Sequence, residues 1–138
     1  MAVCTSEIPV CSVLLVDDDA QQLAIRKLLL EAAGHAVAIA GGGLEAMRLL
    51  DELRPDLLLM DLRLPELEDG LSLIRCAGER RPAAKIMVLS GWAEDLCDLP
   101  EAKLVSRVLG KPIRHEHLLA AINAVVSWPG RSLPSTAS

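Results

Sequence analysis

Apolar residues in this chain fall into short runs, and segments with helical spacing lie between the runs. Residues 12–16 (SVLLV) are continuously apolar after the serine, and three aspartates, Asp17, Asp18 and Asp19, end the run abruptly. So apolar a run predicts a strand buried on both faces, as in a parallel sheet. Residues 20–33 read as a helix with Ala24, Ile25, Leu28, Leu29 and Ala32 on one stripe. Asp19 is placed to cap this helix and Gly34 to stop it. The pattern repeats. Residues 36–40 (AVAIA) form a second strand and Gly41, Gly42 and Gly43 a turn. Residues 44–53 form a second helix, broken by Pro55 and Asp56. Residues 57–60 (LLLM) form a third strand ending in Asp61. Glu66 to Gly70 reads as loop and residues 71–80 as a third helix. Residues 85–89 (KIMVL) form a fourth strand ending in Ser90. Residues 93–102 hold a fourth helix interrupted by Pro100. Residues 104–109 form a weaker fifth strand that Lys111 and Pro112 end, and residues 114–127 a fifth helix.

Strand and helix alternate five times, which calls for an open α/β fold with a parallel sheet and helices on both faces. At 138 residues the chain fits one domain. One folded domain is expected over residues 11–127, after a leader over residues 1–10. The Pro-, Ser- and Gly-rich tail, residues 128–138, is expected to be disordered. Composition narrows the chemistry. There is no Phe and no Tyr, and only two Trp, so the core must be aliphatic. Tyrosine chemistry is excluded, and single-stranded nucleic acid would find no stacking platform. A net charge of −5 argues against direct binding to nucleic acid or an anionic membrane. Cys4, Cys11, Cys76 and Cys97 lack zinc-like spacing and read as small hydrophobes or free thiols. No signal-peptide pattern and no long apolar run is present, so the cytoplasm is the expected location.

In an open parallel sheet, ligands bind beyond the carboxyl ends of the strands. Asp17 and Asp18 follow the first strand, Asp61 the third, Ser90 the fourth and Lys111 the fifth. Three converging carboxylates repel one another and call for a cation. A hard divalent ion with oxygen ligands, Mg2+, suits such a site when a phosphoryl oxygen and waters complete it. A carboxylate can itself attack phosphorus, with the metal, Lys111 and Ser90 stabilising charge on the transferring group.

These residues resemble the receiver domain of two-component response regulators. The matching segments are residues 13–19 (VLLVDDD), 55–65 (PDLLLMDLRLP), 86–91 (IMVLSG) and 110–113 (GKPI), all in order. The resemblance implies a five-stranded flavodoxin-like sheet in the order 2-1-3-4-5. It implies Asp61 as phosphoacceptor, with Ser90 and Lys111 as its catalytic partners. It implies Mg2+ held by Asp17, Asp18, Asp61 and the backbone carbonyl of Arg63, Asp17 acting through water. Lys111–Pro112 would be a cis peptide. A histidine kinase or phosphotransfer protein would be the donor and an unspecified output protein the target. Homodimerisation through the last helical face is common in such domains. The chain would be no enzyme beyond catalysing its own phosphorylation and dephosphorylation. A stand-alone receiver, a phosphate shuttle and a domain cut from a longer protein all stay open.

Three features depart from the family pattern. The loop after Asp61 is one residue longer, the Gly-Ala segment before the fifth strand is replaced by residues 103–107, and Val108 stands where a switch aromatic is usual. They motivate an alternative: an interaction module with the receiver fold that signals without phosphorylation. A haloacid-dehalogenase-type phosphatase needs a second Asp where Arg63 stands and is set aside. Trp92 and Arg63 flank the expected phosphoryl position and could slow hydrolysis, or Trp92 could simply lie on the surface. Leu23 and Leu30 lie off the first helix's stripe beside Arg26 and Lys27. They form a face for a phosphotransfer partner or, the preferred reading, show that the helix phase is imprecise. His35, His115 and His117 form no metal pattern, and Gly41–Gly43 lacks the lysine and spacing of a phosphate loop.

Overall fold

The computed structural model describes residues 11–64, 66–91, 96 and 98–126. The expected leader and tail, and Trp92, lie outside them. Five strands form one parallel sheet: β1 (Ser12–Val16), β2 (Ala36–Ala40), β3 (Leu57–Asp61), β4 (Lys85–Ser90) and β5 (Arg107–Gly110). Their order is β2-β1-β3-β4-β5. The three central strands carry the most apolar runs and are almost wholly buried. The edge strands β2 and β5 are partly exposed. Continuous apolar runs thus go where both faces of the sheet are covered.

Side chains alternate across each strand and build two cores. Leu14, Val16, Leu58, Met60, Ile86 and Val88 meet helices α2 (Gly43–Leu53) and α3 (Leu67–Arg80) on one face. Val13, Leu15, Leu57, Leu59, Met87 and Leu89 meet α1 (Ala20–Ala32) and α4 (His115–Val126) on the other. Both cores are aliphatic, as the composition requires.

Helix α1 begins and ends as expected. Asp19 Oδ1 accepts from the backbone N–H groups of Gln21 (3.0 Å) and Gln22 (3.3 Å). At the other end Gly34 adopts φ 101°, and the N–H groups of His35 and Gly34 close onto the carbonyls of Leu30 and Glu31. This is a Schellman ending, which needs a left-handed residue. The helix phase is different from the predicted stripe. Leu23 and Leu30 are buried, while Ile25 and Leu28 are 52% and 68% exposed. Apolar residues encircle much of α1, so spacing alone does not choose its inner face.

Helix α3 starts at Leu67, four residues before the expected position. Glu66 and Asp69 cap it reciprocally, and the Glu66 N–H donates to Asp69 Oδ2 at 3.1 Å. The pair reads as loop in sequence because Gly70 follows. Gly70 instead lies inside the helix, where a Cβ would overlap the carbonyl oxygen of Leu62. The segment before β5 also differs from expectation. Residues 100–104 form a short 3-10 helix, and β5 starts at Arg107 rather than Leu104. Pro100 opens this turn, and the pairing with β4 begins with Ser106 N–H donating to the Ile86 carbonyl. Most of the expected fourth helix, residues 93–102, lies outside the described residues or in this turn.

Candidate functional site

The carboxyl ends of β1, β3, β4 and β5 meet at one edge of the sheet. β1 and β3 are neighbours, with Val16 opposite Met60, so Asp17 follows β1 beside Asp61 at the end of β3. Asp61 lies opposite Leu89 of β4, which brings Ser90 one residue further along the same edge. Ser90 is buried and lies opposite Gly110, and its carbonyl accepts from the Lys111 N–H at 2.9 Å. The Leu62 N–H donates to the Leu89 carbonyl at 3.0 Å, which seats the start of the loop carrying Arg63 against β4. The Lys111–Pro112 peptide is cis, as expected.

The side chains of Asp17, Asp18 and Asp61 converge, each with one carboxylate oxygen within 4.8 Å of the others. Asp17 is buried, Asp61 half-buried and Asp18 exposed. An oxygen-only donor set, open to solvent at Asp18, fits a hard divalent cation that keeps several waters. Lys111 Nζ lies 2.7 Å from Asp61 Oδ1. Burial pushes the Asp61 carboxyl above its ordinary range; Lys111 pulls it back, and the neighbouring Asp17 adds to the rise. A charged carboxylate held against that cost gains from any cation brought to it.

One member of the site is missing from the sequence reading. Arg26, on α1, places Nη1 2.9 Å from Asp17 Oδ2, with its side chain only 13% exposed. The other Asp17 oxygen, Oδ1, accepts from the Asp19 N–H at 2.9 Å. Arg26 shares the inward face of α1 with Leu23 and Leu30, three and four residues away. The signal was therefore present as a basic residue between two leucines, but it depended on the helix phase. Val108, where an aromatic is usual, is half-buried and packs against the α2–α3 core. The histidines take no part: His35 is buried at the opposite end of the sheet, where its Nδ1 accepts from the Cys11 N–H at 3.3 Å.

Known proteins resemble this chain in sequence and fold. The family model described as the response regulator receiver domain matches residues 13–123. The chemotaxis protein CheY of Thermotoga maritima is 32% identical over 115 residues, covering 82% of this chain and 95% of that protein. A CheY-like receiver domain structure from Methanospirillum hungatei superimposes with a TM-score of 0.77 at 26% identity, covering 89% of this chain and 98% of that one. A response regulator structure from Burkholderia pseudomallei has a TM-score of 0.73 at 31% identity, covering 84% of this chain and 68% of that one. It contains a phosphorylated aspartic acid and a calcium ion. Other curated relatives are much longer, and the chain spans 28% and 6% of the length of two of them.

Proposed function

Since the chain belongs to the response regulator receiver domain family, a family of signalling domains, we propose that Asp61 is its phosphoacceptor. The donor is a histidine kinase or a phosphotransfer protein. The observation that carries this reading is the pairing of Asp61 with Lys111 beside two further carboxylates at the carboxyl edge of the sheet. Lys111 engages Asp61 Oδ1, which leaves Oδ2 to attack phosphorus. The new P–O bond forms as the P–N bond to the donor imidazole breaks, and the imidazole leaves with the bonding electron pair. Lys111 and the Ser90 hydroxyl then stabilise the phosphoryl oxygens. Later, water attacks phosphorus, the acyl phosphate opens to inorganic phosphate, and Asp61 is restored.

Asp17, Asp18, Asp61 and the Arg63 carbonyl are the residues to hold Mg2+. When bound, Mg2+ supplies charge neutralisation for the phosphoryl oxygens. The domain catalyses no reaction beyond its own phosphorylation and dephosphorylation, and its output is a changed set of protein contacts. Homodimerisation is one such contact; the expected location is the cytoplasm, and no described helix is long and apolar enough to cross a membrane. With Val108 in place of a moving ring, the response runs through Ser90 and the residues after it.

The test is incubation of purified protein with Mg2+ and a small-molecule phosphodonor such as acetyl phosphate, followed by mass spectrometry. The expected result is one acid-labile phosphate adduct, released by hydroxylamine as an acyl phosphate is, that Asp61→Asn abolishes. No adduct, together with no spectral response to beryllofluoride, would favour the phosphorylation-independent module instead.

A further inference from the structure

Among the described residues, two basic side chains pair with carboxylates of the acidic site, and Lys111 is only one of them. Arg26 reaches in from α1 and pairs with Asp17 at 2.9 Å, largely shielded from solvent. Asp17 thereby has both oxygens engaged, Oδ2 by Arg26 and Oδ1 by the Asp19 N–H. Asp61 is engaged by Lys111. Of the three clustered carboxylates, only Asp18 is exposed. Counted as formal charges, three aspartates against one lysine leave −2, and Arg26 brings the site to −1. A divalent cation gains less from such a site, and Arg26 must also yield some of its hold on Asp17.

We propose that Arg26 is a built-in counter-ion that competes with the divalent metal for Asp17 and so weakens metal binding. Arg26 is a positioning residue: it acts on the metal through Asp17 and through its own charge. It also lines an open groove with Asp19, Gln22, Lys111, Pro112 and Ile113. A guanidinium released from Asp17 therefore has room to turn outward beside α1 without disturbing the core. In the metal-free protein the same pair gives the buried Asp17 carboxylate a counter-charge. Metal-free folding and metal affinity are thus set against each other at one side chain. This inference rests on the reading of Asp17, Asp18 and Asp61 as the metal site.

The experiment measures the Mg2+ dissociation constant by calorimetry at fixed ionic strength, for the parent chain and for Arg26→Met, Arg26→Gln and Arg26→Lys. The neutral variants are expected to bind Mg2+ about tenfold more tightly, because removing a unit charge a few ångströms from a divalent ion strengthens its attraction to the site. Arg26→Lys keeps the charge and is expected to stay within about threefold of the parent. Neutral variants that fold, by circular dichroism, yet bind Mg2+ no more tightly than the parent overturn the inference. Should both neutral variants fail to fold, the parent decides: the Arg26 side-chain Nε–Hε NMR signal should shift along the Mg2+ binding curve. A signal unchanged at saturation overturns the inference. If Mg2+ at tens of millimolar binds neither the parent nor any variant, the metal reading itself fails.

Discussion

At the scale of single residues, the site sets function against stability. Asp61 is charged, half-buried and near Asp17, and its surroundings favour the neutral carboxyl. In the metal-free protein that charge is a cost. The unfolded chain releases the Asp61 proton around its ordinary value of 3.8, and the folded chain only at higher pH. Stability from this group is therefore present at low pH and is lost as pH rises from 3.8 through the raised folded value. Asp61→Asn removes the charge at nearly constant shape. Its midpoint of urea unfolding at pH 7 is expected to exceed the parent's; a lower midpoint would mean that the Lys111 pair outweighs burial. Gly70 presents a different single-atom constraint. A Cβ there meets the Leu62 backbone carbonyl rather than a movable side chain. Gly70→Ala is expected to cost about 3 kcal/mol in urea unfolding, at the upper end of ordinary overpacking, because the obstacle cannot rotate away.

At the scale of elements, α1 shows how a helix can be placed correctly and oriented wrongly. Its caps, Asp19 and Gly34, are local devices, and both were legible in the sequence. Its inner face was not, because Leu23, Ala24, Ile25, Leu28, Leu29, Leu30 and Ala32 leave few angles of the helix polar. Packing against β1 and β2 selected Leu23 and Leu30, and with them Arg26. Truncation tests this phase directly. Leu23→Ala and Leu30→Ala should each cost about 2–5 kcal/mol of unfolding free energy. Leu28→Ala should change it by no more than about 0.5 kcal/mol. Equal losses at Leu28 and Leu30 would restore the original stripe. The start of α3 was missed for a related reason. Glu66 and Asp69 form a capping box made of two acids, and the usual sequence sign of such a box is a Ser or Thr followed by a Glu.

At the scale of the whole molecule, the two ends of the sheet titrate in opposite senses. Asp61 lies at the carboxyl edge. His35 lies at the other edge, buried with its Nδ1 accepting from the Cys11 N–H. Burial lowers the His35 pKa below its ordinary value of 6.5 and pushes the neighbouring Cys11 thiol up to about 11. A folded histidine that resists protonation contributes stability that is fully present above pH 6.5. That contribution is lost as pH falls from 6.5 through the lowered folded value. Urea midpoints measured at pH 7.5 and 5.5 should therefore fall toward acid in the parent chain. They should fall less in His35→Gln, and an equal decline in both proteins would count against this assignment.

The parts of this protein that depend on local order along the chain could be read from its residues alone. The central strands, the alternation with helices, the aliphatic core and the residues at each strand's carboxyl end were all readable there. So were Asp17, Asp18, Asp61, Ser90 and Lys111 as candidates, because a parallel sheet sends every strand end to one edge. What depended on angles about a helix axis, or on distances between elements, was decided only by the tertiary structure. Periodicity states that a helix has an inner face, but where most faces are apolar only the sheet beneath it selects one. That selection turned Arg26 inward against Asp17, while packing elsewhere set Gly70 beneath a carbonyl and placed a turn at Pro100 ahead of a shortened β5. The reason is physical: strand ends inherit their position from the topology, whereas an ion pair across the fold exists only once two packed elements set its distance.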